Sequence, residues 1–235
     1  MQSDFFKHII GGPSDFGIGW VIILISSAIT FLVSAINLSK WVVNKSNEKK
    51  FLLKKIALLD TGSHITHFIS LLGNYVSVDE NKEYIFVNNF FYVQAIADQN
   101  GSISTFSLTT RKKNFHPVLR DQFGSILITV GSTNFSELTN PIRIVKNGDH
   151  GVRNFYSEVC YFGYRGGYRN YAFSSNPNGY GKMLPFSDME DITENPMELK
   201  NFRATTLINT YSVGVPREPS NFEYFGPKYN QIRVF

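Results

Sequence analysis

The densest grouping of metal-type side chains in this sequence is Asp60, His64 and His67. On a helix, His64 and His67 stand at i and i+3 and share a face, and Asp60 at i−4 from His64 could add a carboxylate. A zinc site would show a further ligand set at recognisable spacing, and none follows. The apolar positions of this segment are Ile65, Phe68, Ile69 and Leu72, which puts both histidines on the helix flank. The expectation is therefore solvated or capping histidines and no metal. Nucleophilic catalysis is equally unsupported. No Gly-x-Ser-x-Gly is present, and the single cysteine, Cys160, lies between Val159 and Tyr161 in a strand-like run, where a small buried thiol is expected. Glu158 and Asp149-His150 stand at no spacing that argues for a site. Gly163-x2-Gly166-Gly167 lacks the lysine and the helix start of a phosphate loop. No catalytic residue and no cofactor is expected.

One stretch is unusual. Nine aromatic residues fall between Phe155 and Tyr180, with Arg165 and Arg169 among them and Arg153 just before. Tyr164-Arg-Gly-Gly-Tyr-Arg169 could stack a base and pair a phosphate, so Arg165, Tyr168 and Arg169 are the candidate ligand-binding residues, for a small nucleotide-like ligand. The competing reading is a sheet face with tyrosine hydroxyls at its rim.

These residues need elements to position them, and the first is a greasy helix. No charged residue occurs from Phe16 to Ser39, and Ile18–Leu38 is 21 residues long. As a helix it spans about 31 Å, against about 30 Å of bilayer hydrocarbon. Trp20 and Trp41 bracket it at headgroup level. A buried core helix is disfavoured by length and flanks, and a signal peptide by the lack of a basic n-region and a cleavage site. Lys40, Lys45, Lys49, Lys50, Lys54 and Lys55 follow the span and only Lys7 precedes it, which predicts an inner-membrane, single-pass topology with the C-terminal domain cytoplasmic. Gly19, Ser26, Thr30, Ser34 and Asn37 recur on one side of the span and could form a homo-oligomer seam. The alternative is that the hydroxyls bond their own backbone. Residues 2–10 read as a short amphipathic turn before Gly11-Gly12-Pro13.

Beyond the span, Trp41–Leu59 can continue as a helix, and Ser63 is expected to cap a helix of about three turns that Gly73 closes. Strands are expected at 83–88, 90–98 and 102–110, with a turn at Asp98-Gln-Asn-Gly101. A looser version follows, with a strand at 125–130, a short helix at 134–138, strands at 153–162 and 168–174, and Asn178-Gly179 answering Asn100-Gly101. Late strands are expected at 205–213 and 231–235, with a surface loop and a helical turn over 182–202. The fold class is thus α+β, one N-terminal transmembrane helix followed by a β-rich domain of two divergent helix-plus-antiparallel-meander units. The divisions are 1–16, a short N-terminal segment; 17–44, the transmembrane helix and flank; 45–60, a helical linker; 61–122, the first unit; and 123–235, the second. Composition agrees: 15% of residues are aromatic and 18% charged, which suits sheet packing. The net charge of +4 is smaller than the juxtamembrane lysine run, so no DNA or RNA footprint is expected.

Gly62-Ser-x4-Phe68-x3-Leu72-Gly73 ahead of a Tyr/Phe-rich meander resembles the SmpA/OmlA type of fold, a helical pair on a small antiparallel sheet. Val93-Gln-Ala-Ile-Ala-Asp-Gln-Asn-Gly-Ser102, Leu108-Thr-Thr-Arg-Lys-Lys-Asn-Phe-His-Pro117, Tyr156-Ser-Glu-Val-Cys-Tyr-Phe-Gly163 and Asn209-Thr-Tyr-Ser-Val213 resemble an uncharacterised family of bacterial single-span membrane proteins. That second resemblance covers most of the chain and implies an inner-membrane anchor with a cytosolic domain; it supplies no catalytic residues. The layout is similar to that of membrane effectors in bacterial anti-phage defence. The expectation is a non-enzymatic, oligomeric sensor or interaction module whose partners are the lipid bilayer, a further copy of itself, and a protein or small ligand. An envelope scaffold without ligand input is the alternative.

Overall fold

A computed structural model describes residues 13–120, 127–138, 144–149, 154–162, 167–181, 194–215 and 226–232. The chain divides into two compact units, Met1–Leu52 and Leu53–Phe235.

The first unit is built on helix α1, Pro13–Ile56. Proline suits the first helical turn, where its missing N–H is not needed and its φ is already helical. The 44 residues form one continuous helix, which carries on past Trp41 as the sequence suggests and ends at Ile56 rather than Leu59. At 1.5 Å per residue it is about 66 Å long, roughly twice the thickness of bilayer hydrocarbon. The described part from Ile25 onward is long and apolar enough to cross a membrane, and none of its apolar window is buried. Ile29, Phe31, Leu32, Ile36 and Leu38 are all exposed. Lys54 and Lys55 sit in the last turn, where cations oppose the negative end of the helix dipole.

The second unit contains α2 (Ile65–Leu72), β1 (Ser77–Val78), β2 (Glu83–Val87), β3 (Phe91–Ala97), β4 (Ile103–Thr110), β5 (Val118–Arg120), β6 (Leu127–Thr129), β7 (Ile144–Asp149), β8 (Asn154–Phe162), β9 (Arg169–Ser175), α3 (Pro196–Thr205), β10 (Thr210–Gly214) and α4 (Tyr229–Ile232). A 3-10 turn, Phe135–Glu137, lies between β6 and β7. Eight strands make one antiparallel sheet in the order β1-β2-β3-β4-β10-β9-β8-β7, and β5 and β6 form a separate pair. The sheet therefore runs as two meanders, β1–β4 and β7–β10, that meet at β4 and β10. Ser107 faces Ser212 at the middle of that junction. Thr110 N–H donates to Asn209 O, and Val215 N–H donates to Ser104 O, both at 2.9 Å. Each meander is also tied to the segment ahead of it: Gly62 N–H donates to Ile103 O, and Gly131 N–H to Ile208 O, both at 2.7 Å. His64 bridges Ser102, and Asn134 bridges Leu207.

Both sheet faces are buried at the centre. One is apolar: Val93, Ala95, Phe106, Leu108, Phe173, Tyr211 and Val213 share it by register. Phe68 of α2 lies edge-on to Phe106, with ring centroids 5.6 Å apart. The other face is small and polar: Gln94, Ser107, Thr109, Ser174, Thr210 and Ser212. Buried hydroxyls and amides need partners. Ser107 donates to Gln94 at 3.1 Å, Thr210 to Thr109 at 2.8 Å, and Ser174 to Ser157 at 2.9 Å.

Several expectations are corrected. The cap of α2 is His64, not Ser63, because the His64 Nδ1 accepts from Thr66 N, and the helix has eight residues rather than three turns. The expected C-terminal strand is helical where it is described: Gln231 takes the Lys228 N–H on its side-chain oxygen, and Ile232 buries against Ile85 and Tyr92. The strand expected from Thr205 begins at Thr210, since α3 runs to Thr205. That helix has ten residues, with Asn195 capping it and Pro196 opening it. Residues 182–193 and 2–10 lie outside the described residues. Strands β5 and β7 were not expected.

Candidate functional site

The apolar sheet face is not fully covered. A cleft of about 700 Å³ is bounded by Phe106, Tyr171, Tyr211 and Val213 of β4, β9 and β10, by Leu53, Ile56 and the Ala57–Asp60 segment, and by His116, Val118 and Leu119. Ligand pockets commonly hold about 300–1,000 Å³ and combine apolar walls with a few polar groups.

Register explains the floor. Tyr211 pairs with Leu108 and Phe173, and Val213 with Phe106 and Tyr171, so all of these side chains leave the sheet on one side. The wall from Leu53 to Asp60 follows from how α1 ends. Ala57 N–H, Leu58 N–H and Leu59 N–H bond back to Leu53, Lys55 and Ile56 in tightening turns. His116 is held by a 3.2 Å contact between its Nδ1 and Val130 O.

The polar groups are few. Arg169, first residue of β9, forms a forked ion pair with Asp60: one guanidinium nitrogen meets Oδ1, and Nη2 meets Oδ2 at 3.3 Å. Planar two-point pairing of this kind suits guanidinium and carboxylate geometry. Tyr211 is 3% exposed and contacts Phe106 with ring centroids 6.0 Å apart. Burial alone pushes its hydroxyl's pKa well above the ordinary tyrosine value.

The structure separates most sequence candidates. Arg169 is engaged by Asp60, whereas Tyr168 is 40% exposed and stacks on Tyr161, with centroids 5.3 Å apart and planes 19° from parallel. Arg165 lies outside the described residues, as do Arg153 and His150. His64 caps α2, and His67 Nε2 is 3.4 Å from Leu58 O. With Asp60 turned to Arg169, the three do not converge. Among the described residues, no group of three or more His, Cys, Asp or Glu could hold a metal ion.

Glu158 and Cys160 lie on the apolar face of β8, under α3. Tyr156 O–H donates to Glu158 Oε1 at 2.7 Å. Arg203 meets the same oxygen at 2.7 Å through Nε and the other oxygen at 3.3 Å through Nη2, which also donates to Phe135 O at 2.9 Å. Glu158 is fully buried, and burial raises its pKa while Tyr156 and Arg203 pull it back. Burial, with the Glu158 charge second, pushes the Cys160 thiol up to about 12. The Glu158–Arg203 pair ties α3 to β8, and the suppressed Cys160 thiolate is not poised to react.

On α1, Ser26 Oγ donates to Ile23 O and Thr30 Oγ1 to Ser26 O, each at 2.9 Å. Gly19, Ser26, Thr30, Ser34 and Asn37 fall within roughly 80° of one another at 100° per residue, one side of the helix.

Sequence reasoning missed the cleft, since its walls come from five separate stretches of chain. The sequence signal was slight, a tyrosine among the small and mostly polar residues of Asn209-Thr-Tyr-Ser-Val213. No protein-family model matches the chain, and neither curated proteins nor solved structures give a significant match.

Proposed function

We propose that this protein is a membrane-anchored, non-enzymatic sensor in which α1 holds the chain in a bilayer and the sheet unit binds a small ligand in its cleft. The cleft carries the reading: a chamber of ligand size with mainly apolar walls and the Asp60–Arg169 ion pair among its lining residues. The anchor rests on α1, whose exposed Ile, Leu, Phe and Val side chains would be costly in water. Orientation follows the lysine run after the apolar segment, which puts the sheet unit on the cytoplasmic side of an inner membrane.

The sheet unit is read as a duplicated helix-plus-meander. In support, each meander is tied to its leading segment by the same glycine N–H bond, and the two share register about Ser107 and Ser212. The small-residue side of α1 is the proposed contact between copies. A role in bacterial defence against phage rests on layout alone, an anchor followed by a β-rich sensor.

Two variants in the span test the sensor reading. In full-length protein, Thr30→Leu and Ser34→Leu are expected to shift oligomer size on native gels and to alter growth and membrane potential on overexpression. Unchanged size in both variants contradicts the seam. Constitutive partners in a pull-down, with no ligand-induced thermal shift, would favour an envelope scaffold instead.

A further inference from the structure

We infer that the lysines following the apolar part of α1 bind the headgroups of anionic phospholipids, so that the anchor gathers such lipids around itself. The inference rests on the membrane reading of α1 given above and adds the class of lipid.

Three observations select it. From Lys40 to Lys55, α1 carries six lysines against one acidic residue, Glu48, a surplus larger than the net +4 of the whole chain. Charge so concentrated calls for an anionic partner within about 10 Å, the reach of weakly screened attraction. The second observation is where the lysines stand around the helix. At 100° per residue, Lys40, Lys45, Lys49, Lys50, Lys54 and Lys55 leave no sector wider than roughly 100° without one. A groove or a nucleic-acid backbone meets one side of a helix and is matched by a stripe. A ring is matched by a partner that surrounds the helix, as a headgroup layer pierced by α1 does. Lys40, Lys45, Lys50 and Lys54 are exposed. The third observation is the boundary. Trp41, Val42 and Val43 are exposed, so apolar surface runs up to Val43, and the Lys45 ammonium lies 4.6 Å from the centre of the Trp41 ring. Indole rings settle at headgroup level. At 1.5 Å per residue, Lys45, Lys49 and Lys50 lie within about 10 Å of Val43 along α1, and Lys54 and Lys55 at about 17–18 Å. The first three are therefore the main headgroup contacts, and Lys40 reaches the same layer by laying its stem along the apolar surface.

The test uses full-length protein carrying Trp20→Phe, in which Trp41 is the one remaining tryptophan. It is reconstituted in vesicles of equal parts phosphatidylglycerol and phosphatidylcholine, with bromine on the acyl chains of one lipid or the other. Bromine quenches a neighbouring indole, so the ratio of the two quenching values reads the lipid composition beside Trp41. At low salt, phosphatidylglycerol is expected to be favoured about fivefold. At about 1 M salt, where the screening length shrinks to about 3 Å, the ratio should fall to near one. Lys45→Gln with Lys49→Gln and Lys50→Gln is expected to abolish the preference, whereas Lys54→Gln with Lys55→Gln keeps most of it. Glutamine is as good a helix former as lysine, so α1 stays helical in both variants, as circular dichroism would check. Equal quenching by both lipids in the parent protein, or a preference that the triple variant keeps, would overturn the inference. So would a preference that the Lys54 and Lys55 changes abolish as fully as the triple variant does. Loss of the preference on adding glycerol 3-phosphate at matched ionic strength would overturn it too, by making a soluble phosphate the ligand. Failure of the anchor reading shows differently: neither brominated lipid would quench Trp41, and the inference would fall with it.

Discussion

The two meanders of the sheet each run in chain order from an outer edge to the junction at β4 and β10, yet they hold their covering helices by different chemistry. In β1–β4 the cover is α2, seated by Phe68 against Phe106 with no charge involved. In β7–β10 the corresponding segment is only the 3-10 turn Phe135–Glu137. Cover there comes from α3, in the β9–β10 connection, through Phe202 on Tyr156 at 4.8 Å and Arg203 on Glu158. An apolar contact tolerates small shifts, whereas a buried ion pair is satisfied in one place only. The second half therefore trades some stability for a fixed docking position of α3, and the first half does the reverse.

That contrast can be broken from either side. Phe68→Ala and Phe135→Ala, both at fully buried positions, are each expected to cost about 3–5 kcal/mol in urea unfolding of the sheet unit. A large loss from one and none from the other would show that the halves do not fold as one sheet. Arg203→Ala is expected to cost about 3 kcal/mol, because it strands a buried carboxylate. The pair Glu158→Met with Arg203→Leu should recover most of that loss, and a double variant as weak as Arg203→Ala would refute the account of the second half.

The pH dependence sharpens the same point. The folded pKa of Glu158 is raised, so the native state holds more protons than the unfolded chain between the ordinary glutamate value and the raised one. Stability from this group is greatest below the ordinary value and falls as pH rises through the raised one. Glu158→Gln should flatten that slope in a pH series of melts; an unchanged slope would place its origin elsewhere. The smallest effect concerns Cys160, buried beside this cluster. With its pKa pushed up to about 12, the thiol should resist iodoacetamide at pH 8 in the native state and react only on unfolding, as read by intact mass.

Much of the first half is legible in the sequence. Strands β2, β3 and β4 lie within the runs their aromatic and β-branched residues mark. The Asp98–Gly101 turn follows from a glycine that can take φ +81° and an aspartate whose Oδ1 accepts the Asn100 and Ser102 N–H groups. A Cβ at Gly101 would also sit 2.5 Å from His64 Nε2. The second half reads less well for physical reasons. Strand β7 ends in Asn147-Gly-Asp149, which local preference reads as a turn, and only pairing with β8 holds it extended. Strand β8 is buried on both faces, so alternation could not show that Glu158 lies under α3. Its partner Arg203 is 45 residues away, and the cleft brings Leu53 together with Val213; such contacts leave no periodic trace. The start of α3, by contrast, was readable from Asn195-Pro196, a cap followed by a proline suited to the first turn.

The account stands most directly on where α1 resides. Full-length protein, expressed and mixed membranes washed with alkaline carbonate, should float with lipid in a density gradient, and replacing Ile25, Leu32 and Ile36 with lysine should release it. Wild-type protein that stays at the bottom of the gradient with soluble proteins would contradict the claim that this chain is held in a bilayer.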